Sequence, residues 1–176
     1  MKKLSVIFIL IIIVGAVVAL GLTNLSSSNS EILRIHIRAN SNDDVDQAVK
    51  YQVKDAVVSA MLPILTECNS KEEAEQNMQE NFHIIEAAAN KVLALNGFSY
   101  TAKAKLAREE FPARAYGSVV YDAGFYDAII LELGEAVGDN WWCVVYPPLC
   151  FLQTNSAKDV KYTSKIAELI KQILAD

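Results

Sequence analysis

Histidine occurs twice and cysteine three times in 176 residues, and no Cys-x-x-Cys or His-Glu-x-x-His pattern is present. A metal centre needs several such ligands at fixed spacing, so the sequence calls for no metal and no cofactor. The seven glycines form no phosphate-cradling loop. Basic residues are scarce as well, with 16 Lys and Arg against 21 Asp and Glu and a net charge of −5. Nucleic acid is excluded as a partner, because binding it requires clustered cations that displace counterions. A cysteine nucleophile needs a base within hydrogen-bond reach, and neither His36 nor His83 is spaced to supply one. Cys143 lies among apolar strand residues, a setting that raises a thiol pKa. Asp122-Ala123-Gly124 resembles the Asp-Thr/Ser-Gly triplet of aspartic proteases, but Ala123 lacks the bracing hydroxyl and a turn before a strand explains it.

Apolar residues are what the chain has in surplus, at 52%. Lys2-Lys3 precede a run from Leu4 to Leu22 that is interrupted only by Ser5, Gly15 and Gly21. This is a positive n-region followed by an h-region longer than the usual ~7–15 residues and close to the roughly 17–25 of a spanning helix. Signal peptide and uncleaved anchor both fit residues 1–24, with Ala19-Leu20-Gly21 offering small residues to a peptidase. Membrane contact through residues 4–22 follows if the segment is retained. Positive charge ahead of it directs the remainder out of the cytoplasm. Residues 25–30 read as a polar linker and 31–176 as one exported domain.

Within that domain Leu33, Ile35 and Ile37 alternate with Arg34, His36 and Arg38, as in a half-buried strand. Ser41 with Asp44 makes a carboxylate capping box ahead of a helix carrying Val45, Val49, Val53 and Val57 toward Pro63. Ser70 with Glu73 opens a second helix, whose apolar face runs from Ala74 through Met78, Phe82, Ile85 and Ala89 to Leu95 before Asn96-Gly97. From Phe98 to Leu106 the period is two, and Phe111-Pro112 ends that strand. Tyr126–Leu133 and Trp141–Tyr146 are apolar on both faces, which predicts two central strands joined by the turn from Gly134 to Asn140. A helix over Ser156–Leu174 closes the chain. The expected fold is α+β: an N-terminal export or membrane helix, then β-α-α-β-β-β-α, with an antiparallel or mixed sheet and helices on one side.

Asn140-Trp141-Trp142-Cys143 followed by Pro147-Pro148-Leu149-Cys150-Phe151 concentrates both tryptophans and two cysteines in twelve residues. This block resembles the signature of the stage II sporulation protein R family. Leu33-Arg34-Ile35-His36-Ile37-Arg38-Ala39-Asn40-Ser41 and the helix after it resemble that family's opening. Phe111-Pro112, Tyr116-Gly117 and Ala123-Gly124-Phe125-Tyr126-Asp127-Ala128 follow its order, so the likeness spans about residues 31 to 152. One departure is Gly134-Glu135-Ala136-Val137-Gly138, where Ala136 replaces the middle of the family's alternating glycines. Because alanine tolerates positive φ poorly, this turn is expected to form differently. The resemblance implies a secreted signal of sporulation, made in the forespore and acting in the space between the two membranes. Its implied partner is a membrane-embedded aspartic protease, which processes the pro-form of the mother cell's early sigma factor.

The residues themselves suggest no catalysis and leave a short set of candidates. Cys143 and Cys150 are either bridged or buried free thiols: export favours a disulfide. An extended chain at ~3.3 Å per residue would separate them too far, so bridging requires the prolines to reverse it. Arg34, His36 and Arg38 form either a solvated strand face or a row that pairs with a partner's carboxylates. Charge reversal at Arg34 and Arg38 is then expected to leave unfolding nearly intact. Trp141 and Trp142 point to opposite faces, as core packing or as interface anchors. The competing functional readings are an envelope Cys-dependent hydrolase and a membrane-anchored structural envelope protein.

Overall fold

A computed structural model describes residues 31–116 and 119–152. The export segment 1–24, the linker 25–30 and the expected helix 156–174 lie outside the described residues. Among the described residues, no helix is long and apolar enough to cross a membrane.

The chain runs β1 (Leu33–Arg38), α1 (Asp44–Leu65), α2 (Lys71–Glu80), α3 (Phe82–Leu95), β2 (Ala102–Phe111), β3 (Arg114–Tyr116), β4 (Val119–Tyr121), β5 (Gly124–Leu133) and β6 (Asn140–Tyr146). A 3₁₀ turn follows at Leu149–Leu152. Four strands form a mixed sheet in the order β2-β5-β1-β6, and β3 pairs only with β4. β1 is parallel to β5 and antiparallel to β6, and β2 is antiparallel to β5. The α+β class and the mixed sheet are as the sequence implies. Two features differ from its expected order: three helices stand where two were expected, and the β3–β4 hairpin is an addition.

The helix count changes at Asn81, whose φ of −113° and ψ of 19° interrupt the apolar stripe running from Ala74 to Leu95. Its side-chain amide donates to the Asn77 carbonyl at 2.8 Å, offering the backbone a local alternative to continued helix. The Ser70 cap forms as its sequence signal requires: Ser70 Oγ accepts from Glu73 N at 3.1 Å, and Glu73 reaches back to Asn69 N at 2.7 Å. The Ser41 box does not form. Asp43 is the N-cap residue of α1 and makes no side-chain cap bond, while Ser41 Oγ donates to Asp46 Oδ2 at 2.6 Å.

One sheet face packs on the helices. Leu33, Ile35 and Ile37 from β1, Ile129, Leu131 and Leu133 from β5, and Cys143 and Val145 from β6 meet Val53, Val57, Met61, Met78, Ile85 and Leu93 in one core. Lys71 ties α2 to β5 through Asp127 at 2.5 Å. Its ammonium pKa rises: burial opposes the charge, but hydrogen bonds to Asp127 and Glu75 outweigh it.

β5 and β6 are not hairpin partners, contrary to the expected turn. β1 lies between them, so β6 is an edge strand and the Gly134–Asn140 loop crosses the end of β1. The loop binds what it crosses: Val137 N donates to Asn40 O at 3.3 Å, Gly138 N to Ala39 O at 3.0 Å, and Asp139 N to Asn42 Oδ1 at 2.6 Å. A Cβ at Gly138 would strike the Ser41 backbone, and Gly134 sits at φ +57° against Asn40. Ala136 nevertheless adopts φ 55°, so the left-handed turn survives without its glycine. An L-residue there is disfavoured, and Ala136→Gly is expected to stabilise the domain by about 0.5–1 kcal/mol. A urea midpoint that fails to rise would contradict this.

Candidate functional site

The opposite sheet face carries the row from β1. Arg34 is 0% exposed, His36 is 5% exposed and Arg38 is half-buried, so the row is not a solvated strand face. The cause is topological. β1 is an inner strand, and its second face is covered by residues that sequence pattern alone does not bring there. Phe111, Tyr126, Ala128, Ile130, Val144 and Leu149 form a second core, with Tyr116, Tyr121 and Trp142 packed against it.

Each member of the row is held differently. Arg38 is paired on both arms, with Glu109 at 2.6 Å and Glu132 at 3.0 Å, and Glu132 also takes Lys105 at 2.7 Å. Hydrogen bonding from Lys105 lowers the Glu132 pKa; burial opposes it, and the charges of Lys105 and Arg38 add to the lowering. His36 Nδ1 faces Glu109 at 3.2 Å, and its ring lies 5.5 Å from that of Trp142 and 5.7 Å from that of Phe111. Arg34 has no carboxylate among the described residues within ion-pair distance. Its guanidinium sits 4.4 Å from the Phe111 ring centroid and 4.8 Å from that of Tyr126. Its Nη2 donates to the Tyr116 hydroxyl at 3.1 Å, the Tyr126 hydroxyl also bonds the guanidinium, and Nε and Nη1 have no acceptor among the described residues.

Burial drives the His36 pKa below its ordinary value; hydrogen bonding to Asn140 and Glu109 opposes the shift and the Arg38 charge adds to it. The imidazole is therefore neutral in the native state near pH 7. An unfolded chain takes up that proton at about pH 6.5, before the folded one does, so stability falls as pH drops below that value. Stability is expected to fall between about pH 7 and pH 5.5, and to fall less in His36→Gln. Denaturant midpoints at the two pH values check this, and an equal slope in both proteins would contradict it.

The tryptophans flank the sheet. Trp141 packs toward the helices with Lys54 Nζ 5.9 Å from its ring, and Trp142 lies on the second face beneath Arg114 at 4.8 Å. Cys143 and Cys150 are joined, with Cα atoms 5.8 Å apart after the chain reverses through Pro147 and Pro148. Cys68 is the free cysteine and is buried, bonded to Ile64 O and Asn77. Burial raises its thiol pKa, Asn77 opposes the rise, and nearby Glu73 and Glu67 add to it.

A second polar cluster was not among the sequence candidates. Asp46, on α1, is 4% exposed and receives Asn40 Nδ2 at 2.7 Å, Ser41 Oγ at 2.6 Å and the Tyr100 hydroxyl at 2.6 Å. Burial alone would raise its pKa, but the bonds from Ser41, Tyr100 and Asn40 outweigh that and hold it below the usual value. Lys50 is likewise buried, donating to Gln47 Oε1 at 2.6 Å and Asp139 O at 3.1 Å. These contacts tie α1 to the strand ends. Their signal in sequence was the Ala39-Asn40-Ser41 block, which periodicity assigns to no element. Phe111, Tyr116 and Tyr126, the Arg34 cage, were visible only as family-like positions.

Fold and site together define a small mixed-sheet α+β domain with a sealed polar and aromatic second face. Among its described residues no group of three or more His, Cys, Asp or Glu is placed to hold a metal. The sequence model of the family described as stage II sporulation protein R matches residues 29–156. Stage II sporulation protein R of Bacillus subtilis (strain 168) is 34% identical over 171 residues, covering 92% of this chain and 76% of that protein. No solved structure matches the chain. The chain belongs to the stage II sporulation protein R family, and its role is in sporulation.

Proposed function

We propose that this protein is an exported signal that acts by binding, without making or breaking bonds itself. In this reading it is made in the forespore and crosses into the space between the two membranes. There it favours the active conformation of a membrane-embedded aspartic protease, which then processes the pro-form of the mother cell's early sigma factor. Activation of this kind is a population shift, in which the domain binds the competent receptor state more tightly than the inactive one. The observation that carries the reading is similarity to the Bacillus subtilis protein across 92% of the chain. The hydrolase reading is weaker, because Cys143 and Cys150 are paired with each other and Cys68 is buried with a raised pKa.

The test is complementation. In a sporulating strain lacking its own copy, forespore expression of the full chain is expected to restore processing of the sigma-factor pro-form, and a chain without residues 1–30 is expected not to. Equal rescue by both would overturn export as part of the mechanism.

A further inference from the structure

We propose that Arg34 is a carboxylate-binding residue, held closed in this structure by the Tyr116 hydroxyl. Among the described residues, the buried lysines each meet two acceptors. Lys71 meets Asp127 and Glu75, and Lys50 meets Gln47 and a backbone carbonyl. Arg38, half-buried on the same strand face, holds two glutamates. Arg34 is fully buried and among the described residues meets only neutral oxygens, the hydroxyls of Tyr116 and Tyr126.

The cage is arranged for an acid. Phe111 and Tyr126 lie against the guanidinium, where ring quadrupoles partly compensate its charge. Nε and Nη1 are left without acceptors, and the donors of a guanidinium fork are what the two oxygens of a carboxylate accept. Tyr116 supplies one oxygen where the fork can take two. The geometry favours a carboxylate over a phosphate, because the other cationic side chains described on this face are engaged: Arg38 is paired with Glu109 and Glu132, Arg114 lies over the Trp142 ring, and burial disfavours the charged form of His36. Aromatic walls suit an acid borne on a short apolar stem, as in a glutamate side chain.

Tyr116 can leave. It is half-buried and sits on a three-residue strand that pairs only with Val119–Tyr121, outside the main sheet. Its hydroxyl accepts from Arg34 and donates separately to the Trp142 carbonyl at 3.4 Å, so releasing Arg34 does not leave its proton without an acceptor. Two-stranded pairings of this size are the least costly to displace. The inference goes beyond the signalling reading and does not depend on export or on the protease.

The test uses the full chain in detergent, with ¹⁵N-labelled arginine and tryptophan side chains, titrated with acetate, N-acetylglutamate amide and inorganic phosphate against chloride at matched ionic strength. Acetate or N-acetylglutamate amide is expected to move the Arg34 Nε–H resonance saturably. Response to the glutamate derivative assigns a peptide-borne acid, and response to acetate alone a small-molecule acid. Tyr116→Phe removes the competing hydroxyl and is expected to saturate at about 3–10-fold lower concentration. Arg34→Met is expected to abolish the accompanying shift of the Trp142 indole N–H. Absence of any saturable carboxylate response in both the wild type and Tyr116→Phe would overturn the proposal, as would saturation by phosphate alone.

Discussion

Arg34→Glu is expected to destabilise the domain by about 3–5 kcal/mol, whereas Arg34→Met is expected to leave its stability within about 1 kcal/mol of wild type. The asymmetry follows from what surrounds the side chain. A carboxylate in that position would face the negative ring faces of Phe111 and Tyr126 in a fully buried site, while Arg38 on the same strand face is already paired with Glu109 and Glu132. Uncompensated buried charge costs about 3–5 kcal/mol, a large part of the 5–15 kcal/mol that ordinarily holds a domain together. Methionine fills similar space, keeps contact with the rings, and removes a cation whose Nε and Nη1 make no hydrogen bond. Urea unfolding of the two variants decides the matter. Equal stability of Arg34→Glu and wild type would mean that the cage is open to water, and a loss of several kcal/mol in Arg34→Met would make Arg34 a structural cation. This result also changes how signalling mutants are read: loss of function in Arg34→Glu reports lost stability, so it carries no information about a partner.

Asp46→Ala is expected to cost about 3–5 kcal/mol, because it strands three donors around a buried site. Tyr100, in the α3–β2 connection, loses its partner, and Asn40 and Ser41 lose the anchor that orients the β1–α1 link. Asn40 also holds the crossing loop through Glu135 N at 3.0 Å, so the damage spreads to the segment leading into β6. Asp46→Asn is expected to lose less, since one amide oxygen still accepts from Tyr100. Acid reproduces the effect in the wild type. The folded carboxyl has the lower pKa, so its contribution is complete above the unfolded value of about 3.9 and is lost as pH falls through the folded one. A stability curve for Asp46→Asn parallel to wild type across that acid range would refute this role.

The extent to which sequence disclosed the fold depends on whether the relevant force is local. Period-two alternation gave β1 and β2, and the Ser70–Glu73 box gave the start of α2, because those signals reside within a few residues. Alternation also implied that Arg34, His36 and Arg38 face water, and there it failed. Glu109, Glu132, Phe111 and Tyr126 reach the row only because β5 lies beside β1 and β2 beside β5, and pairing order leaves no mark on periodicity. Apolar residues on both faces of Trp141–Tyr146 suggested a central strand. It is an edge strand whose two faces are covered, one by the helices and the other by the layer that includes Leu149 and Trp142. The hairpin went unseen because strands of three residues carry too little pattern to register. Approach of Cys143 to Cys150 required a chain reversal that sequence permitted but did not impose.

The central claim is that this chain switches on another protein by contact. Its most direct measurement is co-expression, in a host that does not sporulate, of the full chain, the membrane-embedded aspartic protease of the stage II pathway and the sigma-factor pro-form. The account predicts that the pro-form is shortened when all three are present and stays intact when this chain is omitted. Equal processing with and without the chain, or none when the protease is shown to be competent by other means, would contradict it.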